Sequence, residues 1–139
     1  MSTLKANTLT GTTSAGSILV TGEGGSTTTN LQQGLCKAFV NFTSITTTAT
    51  RDSFNISSLT DVSTGKTYPI SFTSNMNNDD YSGSYYNNAS TTGTAYTNVN
   101  NNYAGGFGTR ATSSFGTQSF ADALTDSHLN DVLIFGDLA

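Results

Sequence analysis

The chain has no tryptophan, one cysteine, one proline and one histidine, and its 139 residues carry only five cationic and nine acidic side chains. Each shortage excludes something. With Cys36 alone there is no intrachain disulfide and no paired-thiolate metal site, and its simplest role is that of a small hydrophobe. With His128 alone there is no histidine pair to hold a metal. Lys5, Lys37, Arg51, Lys66 and Arg110 are scattered, so the clustered cations that displace counterions from nucleic acid are lacking, and no nucleic-acid partner is expected. No run of 18 apolar residues occurs, so no membrane insertion by a helix is expected. The opening Met1-Ser-Thr-Leu-Lys-Ala-Asn7 does not have the basic-then-apolar layout of a secretion signal, and synthesis in a cytoplasm is the expectation.

What is abundant is short and polar. Ser, Thr and Asn fill 58 positions and Gly another 14. These residues favour strands, turns and side-chain-to-backbone hydrogen bonds over helix interiors. Eight Phe and six Tyr argue against a disordered chain, which usually combines few aromatics with high net charge. A chain of this length can bury about 65–70% of the surface its unfolded form exposes, enough for one core.

Hydrophobic periodicity is readable mainly between Leu31 and Thr73. Leu31-Gln-Gln-Gly-Leu35 places two leucines on one side of a short helix, with Thr29 or Asn30 as its cap. So short a helix must dock, either on the following sheet as a connecting turn or against symmetry mates. Three runs follow, Lys37–Phe42, Asp52–Leu59 and Thr67–Phe72, with apolar residues mostly at every second position. In the second, Phe54 and Ile56 are expected inward; in the third, Tyr68, Ile70 and Phe72 share a face. Asp61-Val-Ser-Thr-Gly-Lys66 reads as a turn in which Gly65 takes positive φ. Pro69 suggests an edge strand. Thr109–Phe115 reads as another strand, Gln118–Leu129 as a polar loop or crossing segment, and Val132–Phe135 as a central strand buried on both faces.

The fold class expected is all-β, an antiparallel sandwich-like domain over residues 31–139, preceded by an extended N-terminal arm over 1–30 and a short helical joint. The arm offers few large apolar side chains among many glycines. Ordering costs about 1–2 kcal/mol per residue, so copies of the chain wound around a shared axis are the economical cover. Ile18, Val20, Leu31 and Leu35 are the candidate oligomer contacts. Tyr81, Tyr85, Tyr86, Tyr96 and Tyr103, set in Asn, Ser and Gly, are candidate surface contacts, because tyrosine makes rigid amphipathic contact area at low entropic cost. Outward packing on neighbouring strands is their other reading.

Catalytic patterns are weak. Asp126, His128 and a serine match a hydrolase triad only by residue type, and no Gly-x-Ser-x-Gly elbow occurs. Gly105-Gly-Phe-Gly108 has no helix start after it to bind phosphate. Asp79-Asp80 with Asn77 and Asn78 offers oxygen ligands for calcium but lacks EF-hand spacing. No catalytic residue and no cofactor is therefore assigned.

One family pattern fits. Leu31-Gln-Gln-Gly-Leu-Cys-Lys-Ala-Phe-Val-Asn-Phe42, Arg51-Asp-Ser-Phe-Asn-Ile-Ser-Ser-Leu-Thr-Asp61, Thr64-Gly-Lys-Thr-Tyr68, Phe72-Thr73, Met76 and the closing Phe135-Gly-Asp137 resemble small tail-fibre-like structural proteins of marine bacteriophages. Ser14-Ala-Gly-Ser-Ile-Leu-Val-Thr-Gly-Glu-Gly24 looks like the arm that precedes their domain. The resemblance implies a non-enzymatic virion component made in the host cytoplasm; with the arm read as associating along a shared axis, the expectation is a tail-fibre or appendage protein that forms a homotrimer. It would join other virion proteins through its arm and contact a host polysaccharide or outer-membrane protein. A capsid decoration or cement protein is the alternative the same resemblance allows.

Overall fold

The computed structural model describes residues 3–14, 18–88, 105–121 and 123–139. The chain divides into two units, Met1–Leu35 and Cys36–Ala139. The division falls after the leucine pair rather than before it, and hydrogen bonds explain why. In the first unit β1 (Leu19–Thr21) pairs antiparallel with β2 (Thr28–Asn30). The reversal between them is closed by Gly22 N–H on Thr27 O at 2.9 Å and Gly25 N–H on Gly22 O at 2.9 Å, with Gly25 at φ +73°. Part of the expected extended arm is thus a hairpin. Leu31 N–H donates to Ile18 O at 2.8 Å, and Asn30 Oδ1 accepts from Gln32 N–H (2.8 Å) and Gln33 N–H. The single-turn helix α1 (Leu31–Gly34) is therefore capped by Asn30 and tied to this hairpin.

The second unit is a sandwich-like pair of antiparallel sheets. One sheet has the order β4 (Ala49–Phe54), β3 (Cys36–Thr43), β11 (Leu129–Phe135), β7 (Ser82–Asn88). The other runs β5 (Ile56–Ser63), β6 (Lys66–Phe72), β9 (Ser114–Ala121), and β9 also pairs β8 (Gly105–Ala111) and β10 (Ala123–Leu124). Ala38, Val40 and Phe42 on β3 and Val132 and Ile134 on β11 face Ile70, Phe72 and Phe115 from the other sheet. Phe72 is the hub of the aromatic packing, with Phe115 at 5.4 Å and Tyr81 edge-on at 5.7 Å. Each such side chain withdrawn from water stabilises the fold by about 1.5–3 kcal/mol.

The run Asp52–Leu59, expected as one strand, is two strands in different sheets. Asn55, at φ +57°, breaks it. The break rotates Phe54 outward, where it is exposed, and leaves Ile56 packed against the core. Asn55 stays in this left-handed conformation because its side chain is saturated: Nδ2 donates to Lys37 O (3.1 Å) and Ser74 O (3.0 Å), and Oδ1 accepts from Ser74 N–H at 2.7 Å.

Pro69 also departs from expectation. It lies in β6, which is hydrogen-bonded on both sides rather than at an edge. Both ladders skip the Tyr68–Pro69 pair, shifting register between Leu59 and Asp61 toward β5 and between Thr67 and Ile70 toward β9. A central strand accepts proline where its ladder is already interrupted. The same irregularity buries Thr67 and turns Tyr68 to solvent, so Tyr68 does not share the face of Ile70 and Phe72. Gly65 takes φ +70° as expected. Gln118–Ala121 continue β9 rather than looping. β11 is central, but it is buried on one face only: Val132 and Ile134 are covered, whereas Leu133 and Phe135 are exposed.

The Asn55 corner gives a direct test. Asn55→Ala, which loses the three bonds and places a Cβ-bearing residue without compensation at positive φ, is expected to cost about 2–4 kcal/mol. Asn55→Gly, which keeps the backbone geometry, should cost about half of that. Urea denaturation of both variants reads the order directly, and equal stability of all three proteins would refute this account of the corner.

Candidate functional site

The structure separates the tyrosines singled out from sequence. Tyr81 is 2% exposed. Its ring packs on Phe72 and its hydroxyl donates to Ser114 O at 3.1 Å, so it is a core residue and offers no surface contact. Burial pushes its phenol up, and the hydrogen bond at Ala111 and the nearby Arg110 charge pull it part of the way back. Tyr85 is half-buried and points inward from β7. Tyr86, its neighbour, is 52% exposed on the opposite face. Tyr96 and Tyr103 lie outside the described residues. Of the three candidate tyrosines that lie among the described residues, only Tyr86 is exposed.

The candidate oligomer contacts all lie in the first unit. Ile18 and Leu31 are half-buried; Val20 and Leu35 are exposed. Leu4, Leu9 and Leu19 add further exposed apolar surface, and among the described residues of 1–35 none is buried.

Tyr85 leads into a buried polar cluster that composition could not reveal. Its hydroxyl donates to Asn130 Oδ1 at 2.6 Å. Asn130 Nδ2 donates to Ser127 O (3.2 Å) and Phe42 O (3.3 Å). Ser44 and Ser127 exchange backbone and hydroxyl bonds, Ser44 N–H to Ser127 O at 2.9 Å and Ser127 N–H to Ser44 Oγ at 2.8 Å. Ser127 Oγ donates to Ser119 Oγ at 2.9 Å, and Ser119 Oγ donates to Thr125 O. The cluster joins strands of both sheets, and among the described residues every buried side-chain nitrogen and oxygen has a partner. A fully satisfied network of this kind fixes register rather than performing chemistry.

No family model, curated protein or solved structure matches the chain. Its chemistry must be read from its own geometry. The triad candidates are engaged elsewhere: Asp126 Oδ1 accepts from Gly65 N–H at 2.7 Å, and His128 Nε2 stands 3.1 Å from Arg51 Nη2. Among the described residues no three His, Cys, Asp or Glu side chains gather into a metal-binding group. Near Asp79 and Asp80, Asn78 Oδ1 accepts from Asp80 N–H at 3.0 Å, a local turn bond.

Among the described residues a groove and an aromatic pair stand out at the surface, and sequence reasoning missed both. A shallow groove of about 170 Å³ on the β5-β6-β9-β8 sheet is lined by Val62, Lys66, Tyr68, Gly108, Gly116 and Gln118. A Cβ on Gly116 would stand 3.0 Å from Tyr68 Cδ2, so a larger residue there requires the exposed Tyr68 ring to shift by a few tenths of an ångström. On the outside of the other sheet, Phe39 and Phe54 stack with centroids 6.1 Å apart. The outward turn of Tyr68 and Phe54 follows from Pro69 and Asn55, and both residues are visible in the sequence as interruptions of alternating runs.

Tyr85 carries a pH prediction. Burial raises its phenol above the ordinary value of 10.0, opposed by hydrogen bonds with Thr117 and Ser119. The unfolded chain therefore releases this proton first. Stability from this group is complete below about pH 10 and falls as pH climbs above it toward the folded value. Tyr85→Phe should lose about 1 kcal/mol at neutral pH, from Asn130 Oδ1 left without its donor. Its decline between about pH 10 and 12 should be shallower than in the wild type. Urea melts across that window check both effects; parallel alkaline limbs would refute the assignment.

Proposed function

We propose that this protein is a non-enzymatic structural component of a bacteriophage virion, a tail-fibre or appendage protein that assembles as a homotrimer. One observation carries the assembly part of the reading. Among the described residues of 1–35 none is buried, while Leu4, Leu9, Leu19, Val20 and Leu35 are 50–80% exposed. At about 1–2 kcal/mol per residue for ordering, a hairpin and one helical turn have too little intrachain burial to hold themselves. Copies of the same segment around a common axis supply the missing contacts through Ile18, Val20, Leu31 and Leu35, and attachment to other virion proteins belongs to this arm as well.

The sandwich then acts as a rigid head. Its surface of hydroxyls and amides, with an exposed tyrosine in the Val62–Gln118 groove and Tyr86 on the other sheet, suits contact with a host polysaccharide or outer-membrane protein. The engagement of Asp126 and His128 in structural contacts supports a role without catalysis.

Light scattering on the folded full-length protein should give three times the 14.5 kDa chain mass. A single-chain mass would overturn the trimer. Antibody labelling of purified virions should mark the tail or its appendages. Signal over the head would replace this reading with that of a capsid decoration protein, and unlabelled virions would remove the virion assignment altogether.

A further inference from the structure

We infer that the outward face of the β4-β3-β11-β7 sheet is where sandwich units of different copies pack on one another, with Phe39, Phe54, Leu133 and Phe135 at its centre. This rests on the self-assembly reading above and gives it a second, named surface.

Register brings the four side chains together. Phe54 stands opposite Phe39, and Phe39 opposite Leu133, across three adjacent strands. Directly opposed residues in antiparallel strands share a face, so these three form one row. Their neighbours Ala38, Val40, Val132 and Ile134 are buried toward the opposing sheet, which fixes the row as outward. Phe135 follows Leu133 by two residues on β11 and extends the same face alongside Cys36. The Phe39 and Phe54 rings are stacked at 30° between planes, a preformed aromatic surface rather than two loose side chains.

The exposures are large for a chain this polar: Phe54 51%, Leu133 45% and Phe135 37%, with Tyr86 at 52% in the adjoining row. A fully buried aromatic removes about 150–250 Å², so these residues leave roughly 300–400 Å² of apolar surface uncovered. That is near half of the ~800 Å² that each partner gives to a stable interface. It also matches the largest apolar patch on a typical monomer, about 300–600 Å², which is often functional. Ser82, Ser84 and Asn41 on the same face supply polar surroundings for such a centre.

A second copy is the occupant this surface fits. β3, which carries Phe39, begins at Cys36, one peptide bond after Leu35, itself a proposed contact between copies. Association through residues 1–35 therefore holds the faces of neighbouring copies at high local concentration, where a patch of this area is sufficient. The charges fit a closed apolar centre with a wet edge. Asp52 and Asp131 flank Asn41 in the row beyond Phe39, and Asn41 Nδ2 donates to Asp131 Oδ1. Copies meeting over the Phe39 row leave these carboxylates at the rim, whereas a slide that centred them would oppose like charges.

The test uses the full-length chain in three forms: wild type, the double variant Phe54→Ser with Leu133→Ser, and Leu133→Cys in a Cys36→Ser background. Both serine sites are exposed, so native circular dichroism and melting are expected. The double variant should fall to the 14.5 kDa mass, or dissociate at concentrations at least tenfold higher than wild type. The cysteine variant should give covalent dimers with a short bis-maleimide, the largest product that one thiol per chain permits. A folded double variant that keeps the wild-type mass and dissociation concentration overturns the inference and leaves assembly through residues 1–35 standing. A wild type of single-chain mass overturns both. Should the double variant not fold, the cysteine variant decides alone, and absence of cross-linked product at concentrations where the wild type is multimeric refutes the packing face.

Discussion

Asn55 is the residue on which the sandwich turns. It lies between the last residue of β4 in one sheet and the first of β5 in the other, so the two sheets are joined here by a single residue in a left-handed conformation. Nothing about the hydrophobic sequence requires that switch, since the run Ser53-Phe-Asn-Ile56 would alternate equally well as one flat strand. What decides it is hydrogen bonding. The Asn55 amide spans Lys37 O on β3 and both backbone groups of Ser74, and Thr73 N–H returns to Asn55 O at 3.1 Å. Those bonds compensate the cost of about 1–2 kcal/mol for a Cβ-bearing residue at positive φ. Once the switch is made, Ile56 packs on the core and Phe54 is committed to the outside.

The interior has to work with little material. Among the described residues ten hydrophobic side chains form the buried cluster, and eight polar or charged ones are buried beside them. Glycine supplies part of the fit. Phe107 occupies the space where a Cβ on Gly83 would stand, so a small residue on β7 lets a ring from β8 reach Phe115 at 5.9 Å. The Ser44–Ser127–Asn130 group extends the inter-sheet contact with hydrogen bonds in place of apolar bulk. Such bonds contribute little net energy each but are costly to break singly, so they narrow the choice of register more than they deepen the minimum.

How much of this was legible in the sequence depends on which physical term governed each element. Where burial governed, periodicity read correctly: Val40 and Phe42, Ile70 and Phe72 face inward as their spacing requires, and Gly65 and the Asn30 cap follow from local backbone chemistry. Where side-chain hydrogen bonding or a ladder interruption governed, period-2 reading failed. Alternation places Phe54 and Tyr68 in the core, whereas Asn55 and Pro69 turn them out. Tyr81 was assigned to the surface by its polar neighbourhood, yet carbonyls of Ala111 and Ser114 accept its hydroxyl and permit burial. The Ser127–Asn130 cluster could not be read at all, because in a chain with 58 Ser, Thr and Asn residues no pair of them stands out before the fold brings them together.

The placement of charge bears on how copies of such a fold meet. A sheet offers a neighbour two routes, hydrogen bonding to an unpaired edge or packing on a face, and edge pairing is the one that leads to unlimited aggregation. Here the edge strand β4 carries Arg51 and Asp52, and its ladder to β3 is broken by a register shift between Asn41 and Phe42. On β5, the edge of the other sheet, Asp61 accepts from Thr48 Oγ1 at 3.0 Å, and three register shifts interrupt its pairing to β6. At these two edges charge and irregular pairing oppose extension by a further strand, while the apolar row through Phe54, Phe39 and Leu133 lies on a face. Under the proposed self-association, copies that meet over the Phe54, Phe39 and Leu133 face would leave the β4 and β5 edges out of the contact, and the charge and irregularity of those edges disfavour strand addition there.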